Sequence, residues 1–188
     1  GHLGQPYTFE EHVHDLELVI GGRPTVLFGH SYGGSIALAA ASSGNRNVRA
    51  AVSYEAPRTW ESWWPPPPSS DIDPSDAAEH FIRRMIGEDR WSALPTNSRS
   101  KLRSQGVLMV HELKTQTTQR YRLEDAKIPL VIGVGELSGE HAQRAATIFG
   151  QEAIRGEVER LKDAKHDAPM SHPDQVANLI EQALRQIS

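Results

Sequence analysis

The sequence predicts an α/β fold: a mostly parallel, open sheet flanked by helices, with a helical insertion in the middle of the chain. Two observations carry that reading. Short β-branched or apolar runs alternate with helical stretches at both ends of the sequence, which is the rhythm of strand–helix–strand units. Between residues 56 and 125 the rhythm stops, over a length too great for a plain crossover between neighbouring strands.

Each element follows from its residues. From Tyr7 to Ile20, the apolar residues Phe9, Val13, Leu16 and Ile20 recur at helical spacing, and Thr8 with Glu11 has the spacing of a capping box. Gly21-Gly22-Arg23-Pro24 stops that helix. Thr25–Phe28 reads as a strand buried on both faces, Ser35–Ser42 as a small-residue helix able to pack closely on a sheet, and Val48–Tyr54 as a second strand. Pro129–Val134 is a third strand, Glu140–Phe149 a helix and Glu157–Leu161 a weaker fourth strand. Pro173–Ile187 is the clearest helix: Val176, Leu179, Ile180, Ala183, Leu184 and Ile187 form one apolar stripe, and Pro173 suits the first turn.

The interrupting stretch, 56–125, holds Trp60, Trp63, Trp64 and Pro65 to Pro68, then two helical segments, Ser75–Ile86 and Ser98–Leu113. It reads as a lid or cap inserted within a single domain spanning residues 1–188. The Trp–Pro run could bind an SH3- or WW-type partner as polyproline II; the preferred reading makes it the hinge of the lid, with its indoles roofing an apolar pocket.

Composition narrows the function. The 188 residues carry 20 Lys+Arg against 24 Asp+Glu, a net charge of −4, with no basic block to attract nucleic acid or an anionic membrane. No cysteine is present, which excludes disulfides, thiolate zinc sites and a cysteine nucleophile. No apolar run has the length of a transmembrane helix, and the reading is a cytoplasmic protein with a small molecule as partner.

The sharpest chemical signal is Gly29-His30-Ser31-Tyr32-Gly33-Gly34. A serine attacks a carbonyl only if its hydroxyl stands clear of the sheet. A tight strand-to-helix turn achieves that, and it crowds the positions two before and two after the serine, where glycine fits. The strand Val26-Leu27-Phe28 precedes this stretch and a small-residue helix follows it. The serine also needs a base. His166, between the fourth strand and the last helix, sits where an open α/β sheet gathers its functional groups. His172 reads as a helix-start residue. His12 and His14 read as solvated, and neither they nor His111 and His141 have a metal-ligand spacing, so no metal is expected.

The elbow GHSYGG, the strand and loop VRAAVSYEAP, the strand PLVIGVGE and the ending KHDAPMSHPDQVANLIEQAL together resemble the α/β-hydrolase fold superfamily, in the order serine, lid, histidine. The resemblance implies a serine hydrolase with no cofactor, acting on an ester or similar acyl compound. Ser31 would be the nucleophile, His166 the base and Tyr32 N–H an oxyanion donor, with His30, Trp60, Trp63 and Trp64 lining the substrate site. In most of the family the acid follows the strand matching PLVIGV; here Ser138 occupies that position and cannot hold a charge. A minority pattern, in the haloalkane-dehalogenase branch, places a Glu directly after the preceding strand, and Tyr54-Glu55-Ala56-Pro57 resembles it. Glu55 is therefore the expected acid, with Glu136 and Glu140 as alternatives. A lyase, acyltransferase or perhydrolase on the same triad would carry the same pattern.

The opening GHLGQPYTFEEH matches none of the strands that the family places beyond the elbow strand. The expectation is thus an N-terminally truncated version of the fold, with no source for the second oxyanion donor, whose loss typically costs about 10²–10³ in rate. The elbow strand would be an exposed edge, and the chain would self-associate through it. The missing strands and Ser138 also fit the alternative of a non-catalytic remnant or binding module.

Overall fold

The computed structural model describes residues 7–67, 69 and 71–187. In chain order the elements are α1 (Phe9–Ile20), β1 (Thr25–His30), α2 (Tyr32–Ser42), β2 (Val48–Tyr54), α3 (Pro74–Ile86), α4 (Glu88–Ala93), α5 (Thr96–Ser104) and α6 (Gly106–Thr115). There follow β3 (Leu130–Gly135), α7 (Glu140–Glu152), β4 (Gly156–Leu161), α8 (Ala168–Ser171) and α9 (Pro173–Arg185). The chain forms two compact units: residues 59–118 together with 7–9, and residues 10–58 with 119–187.

The larger unit is the α/β part. Its four strands form one sheet, parallel throughout, in the order β1-β2-β3-β4. Parallel strands need crossovers, and α2 and α7 supply two of them. The strands are apolar on both sides because both faces are covered. On one face Ala50, Val52, Tyr54 and Val131 pack against Val176, Leu179 and Ala183 of α9. The alternate residue Ser53 meets α2 on the other face, where a Cβ added at Gly34 would lie 2.7 Å from its hydroxyl.

The sheet's outer strands differ from each other. β4 (GEVERL) is edged with charge, a usual protection against unwanted pairing. In β1, Leu27 is buried but Phe28 is 37% exposed, so the expected burial on both faces does not hold. β1 is the outermost strand, and the helices covering that face pack mainly on β2 and β3.

One fully buried cation braces the same unit. Arg58, 3% exposed, makes two hydrogen bonds to Glu152, at 2.7 and 3.0 Å, and its guanidinium lies 4.7 Å above the Phe149 ring. Tyr121 stacks on that ring in turn. The delocalised guanidinium suits such a place because it satisfies a carboxylate bidentately and an aromatic face at once.

The smaller unit is helical. Asp73 caps α3 by accepting the Ser75 N–H at 2.8 Å, and Pro74 occupies the first turn. Arg103 of α5 joins Asp76 and Glu79 of α3, while Arg83 pairs with Glu79 and Glu88. The single helix expected over Ser98–Leu113 is instead two, α5 and α6, and α4 was not foreseen. The break falls at Gln105–Gly106, where α6 seats so closely on α3 that a Cβ at Gly106 would lie 2.3 Å from the Pro74 carbonyl oxygen. Packing between elements set that boundary, and periodicity does not record it. Among the described residues no helix is long and apolar enough to cross a membrane.

Candidate active site

The carboxyl ends of β1, β2 and β3 and the loop after β4 bring the chemically able residues together, all within the α/β unit. Ser31 follows β1 directly and opens α2. Its N–H donates to the Tyr54 carbonyl at 2.8 Å, and its own carbonyl accepts the N–H groups of Gly34 and Ser35 at 2.8 and 3.3 Å. The serine is thereby pinned to the end of β2 on one side and to the first turn of α2 on the other. Its φ of +55° is a conformation that costs an L-residue about 1–3 kcal/mol and is kept only where the surroundings enforce it.

The turn is tight where glycine stands at Gly29: a Cβ there would lie 2.1 Å from the Gly33 carbonyl oxygen. Gly34 is closely packed too, but a Cβ at Gly33 would meet nothing within 4 Å. The crowding assigned from the sequence to positions 29 and 33 therefore falls on 29 and 34. It is the carbonyl of Gly33, not its Cα, that fills the space beside Gly29.

Glu55 follows β2 with a φ of +49°, the same left-handed strain as Ser31. The carboxylate is 4% exposed, and each oxygen has separate work. Oε2 lies 2.8 Å from His166 Nδ1. Oε1 accepts the Gly135 N–H at 2.9 Å and the Ser138 hydroxyl. Burial alone would raise the pKa of Glu55, but the bonds from His166, Ser138 and Gly135 outweigh it and hold the carboxyl below its usual range. A carboxylate facing Nδ1 requires the proton on that nitrogen, which leaves Nε2 with the lone pair. The side chain of His166 is 19% exposed.

Tyr54 and His30 complete the setting. The buried Tyr54 hydroxyl donates to the carbonyl of Lys165 at 2.7 Å, and its ring lies over Gly133, where a Cβ would come within 2.9 Å of it. His30 places its ring 4.5 Å from that of His166 and 5.9 Å from that of Tyr54. Burial, with the His166 ring beside it, lowers the His30 pKa from 6.5 to about 4, so that His30 is neutral at pH 7. The Ser31 hydroxyl makes no hydrogen bond to the imidazole here; such bonds commonly tighten only when substrate is bound.

Other residues named from the sequence lie elsewhere. Glu136 is exposed and accepts the Asp163 N–H, at 3.3 Å, through its Oε2; Glu140 is exposed at the start of α7. Neither bonds His166, whose carboxylate partner is Glu55. Tyr32 is the first residue of α2. His172 stands at the start of α9. Trp60, Trp63 and Trp64 belong to the helical unit. Pro68 lies outside the described residues. Among the described residues no group of three or more His, Asp or Glu side chains is placed to hold a metal ion. Sequence pattern passes over Tyr54 and Gly135, and marks Ser138 only for the charge it lacks. Hydrogen bonds spanning 80 residues or more leave no trace in local spacing.

The sheet, the strained serine turn and the carboxylate–imidazole pair define a protein of the α/β-hydrolase class. A family model described as the alpha/beta hydrolase family matches residues 1–179, and the chain belongs to that family. No curated protein matches the sequence. Among solved structures, the chain is similar to an alpha/beta hydrolase enzyme from a Medee basin deep-sea metagenome library, with 16% identity, 99% of this chain and 75% of that one covered, and a TM-score of 0.75. It is similar to the enol-lactonase from Burkholderia xenovorans, with 14% identity, 98% and 77% covered, and a TM-score of 0.72. It is also similar to a lipase-esterase related protein from Clostridium acetobutylicum, with 19% identity, 97% and 79% covered, and a TM-score of 0.70. At these identities the likeness is one of fold.

Proposed function

We propose that this α/β hydrolase is a serine hydrolase that cleaves an ester or similar acyl substrate through Ser31, His166 and Glu55. The observation that carries the reading is the 2.8 Å contact of Glu55 Oε2 with His166 Nδ1, beside a serine held at positive φ. Solved neighbours named as an esterase and an enol-lactonase support an acyl compound as the substrate class.

Ser31 Oγ attacks the acyl carbon while His166 Nε2 takes the hydroxyl proton, and the Glu55 carboxylate stabilises the imidazolium that forms. The N–H of Tyr32, at the start of α2, faces the charge developing on the acyl oxygen. The imidazolium then protonates the leaving alcohol, and the acyl group stays on Ser31. Water gives a proton to His166 and its oxygen to the acyl carbon; the carboxylic acid leaves and Ser31 recovers its proton. No metal or organic cofactor takes part in this scheme. Substrate contacts from His30, Trp60, Trp63 and Trp64, and the role of residues 56–125 as a lid, belong to the same proposal and rest on the sequence pattern.

Hydrolysis of a p-nitrophenyl ester by the purified chain tests it. Ser31→Ala and His166→Ala are expected to lower kcat about 10³–10⁴-fold. Glu55→Gln should fall substantially, and Glu136→Gln should not. Turnover that survives Ser31→Ala, or that is lost in Glu136→Gln alone, would overturn the assignment.

A further inference from the structure

The Glu55 carboxylate is held from two sides, and only one of them is the imidazole. We propose that Ser138 is a positioning residue: its hydroxyl, together with the Gly135 N–H, grips Oε1 of Glu55 so that Oε2 is presented to His166 Nδ1. This rests on the reading of Ser31, His166 and Glu55 given above.

Three features make the grip directional. Ser138 closes a turn at the end of β3, its N–H donating to the Gly135 carbonyl at 3.0 Å. The turn is tied to the segment that leads into His166. Glu136 N–H donates to the Leu161 carbonyl at 2.9 Å, and Leu137 N–H to the Ala164 carbonyl at 3.0 Å. Finally, the fit depends on the absence of a side chain at Gly135, where a Cβ would lie 2.4 Å from the Ala164 oxygen and 2.8 Å from the Ser138 hydroxyl oxygen. The donor to Glu55 and the loop bearing its imidazole partner are thus parts of one hydrogen-bonded assembly. With one oxygen fixed by two donors, the carboxylate cannot rotate away from the ring, and its negative charge is stabilised in a place that excludes water.

Removing the hydroxyl has two effects of the same sign. Glu55 loses a donor to its charged form, so its pKa rises. The charge is then less shared, so the carboxylate holds a proton on the imidazole more strongly. Both move the acid limb of the pH–rate profile to higher pH. A merely structural serine would lower stability and leave that limb in place.

The test measures each variant in two ways: a carbon-13 NMR titration of the Glu55 carboxyl, which needs no turnover, and the pH dependence of p-nitrophenyl ester hydrolysis. Ser138→Ala is expected to raise the Glu55 titration midpoint and to lower kcat about tenfold, the loss of one hydrogen bond to a charged group. Its acid limb should shift upward with KM little changed. Ser138→Thr, which keeps the hydroxyl, should restore both readouts. A Glu55 midpoint equal in wild type and a folded Ser138→Ala variant would overturn the proposal, as would a pH profile that Ser138→Ala does not move. If wild type turns over no ester while the midpoint still shifts, the acyl-transfer reading falls and the grip of Ser138 on Glu55 stands.

Discussion

Tyr54 and Lys165, 111 residues apart, are joined by a 2.7 Å hydrogen bond from the phenol to the backbone carbonyl. The next residue on each side is Glu55 and His166, joined by their own 2.8 Å bond. Two consecutive residues at the end of β2 therefore hold two consecutive residues of the loop after β4: one bond takes the loop's backbone and the other its imidazole. The first fixes where the ring begins, and the second fixes which way it turns.

Tyr54→Phe keeps the ring over Gly133 and removes only the hydroxyl. The Lys165 carbonyl loses its phenol donor, at a cost of about 1–2 kcal/mol. The expected outcome is a small fall in Tm by calorimetry together with a larger fall in kcat, because the loop bearing His166 is less well placed. Unchanged turnover in a folded variant would contradict this account of the loop.

The elbow makes a paired prediction. Gly29→Ala forces a Cβ into the Gly33 carbonyl, which is backbone and cannot give way, so the expected loss is about 3 kcal/mol or more, with failure to express folded as the extreme. Gly33→Ala meets open space within a helix and should be neutral or stabilising by up to about 1 kcal/mol. Denaturant midpoints of the two variants decide it. Equal effects would show that the crowding is not where the backbone places it.

Glu152→Gln tests the brace around Arg58. The change leaves a buried guanidinium without its countercharge, and because Glu152 is itself partly exposed the expected cost is about 2–3 kcal/mol, below that of a wholly buried pair. Replacing Arg58 by Met, which removes the charge and keeps apolar volume over Phe149, should cost less. The denaturant midpoints give the order, and the reverse order would contradict the bracing role.

Stability should fall with acid in two windows. His30 takes up a proton in the unfolded chain near its ordinary 6.5 but in the folded protein only at about 4. Between those values the unfolded state binds more protons, and folding weakens as pH drops. Glu55 is also depressed from its ordinary 4.5, so the stability it contributes is present above that value and is lost as pH falls below it. In denaturant titrations, His30→Gln should flatten the curve between pH 6.5 and 4, and Glu55→Gln only below about 4.5. A His30→Gln curve parallel to wild type would contradict a neutral, half-buried His30.

The parts of the fold that sequence makes legible are those with one dominant period. The apolar stripe of α9, the run Leu130–Val134 and the strand Val48–Tyr54 each announce their element, and the strand–helix rhythm gives the parallel sheet. The helical unit is less legible. Its α4 and α5 are short and polar, and the division between α5 and α6 is set by contacts such as Gly106 on α3 and Arg103 between Asp76 and Glu79. At the site, local pattern points to a serine between glycines, and the family resemblance, not the pattern, singles out Glu55 at the end of β2. Local pattern cannot show that Ser138, Tyr54 and Gly135 attend them, because those contacts exist only once β1, β2, β3 and β4 lie side by side.

Active-site labelling of the folded chain with a fluorophosphonate, read by mass spectrometry of the peptides, tests the central claim most directly. One adduct should form, on Ser31, absent in Ser31→Ala and slowed at least about 10²-fold in His166→Ala. An adduct on any other residue that survives Ser31→Ala, or a Ser31 that stays unlabelled in the folded protein, would contradict it.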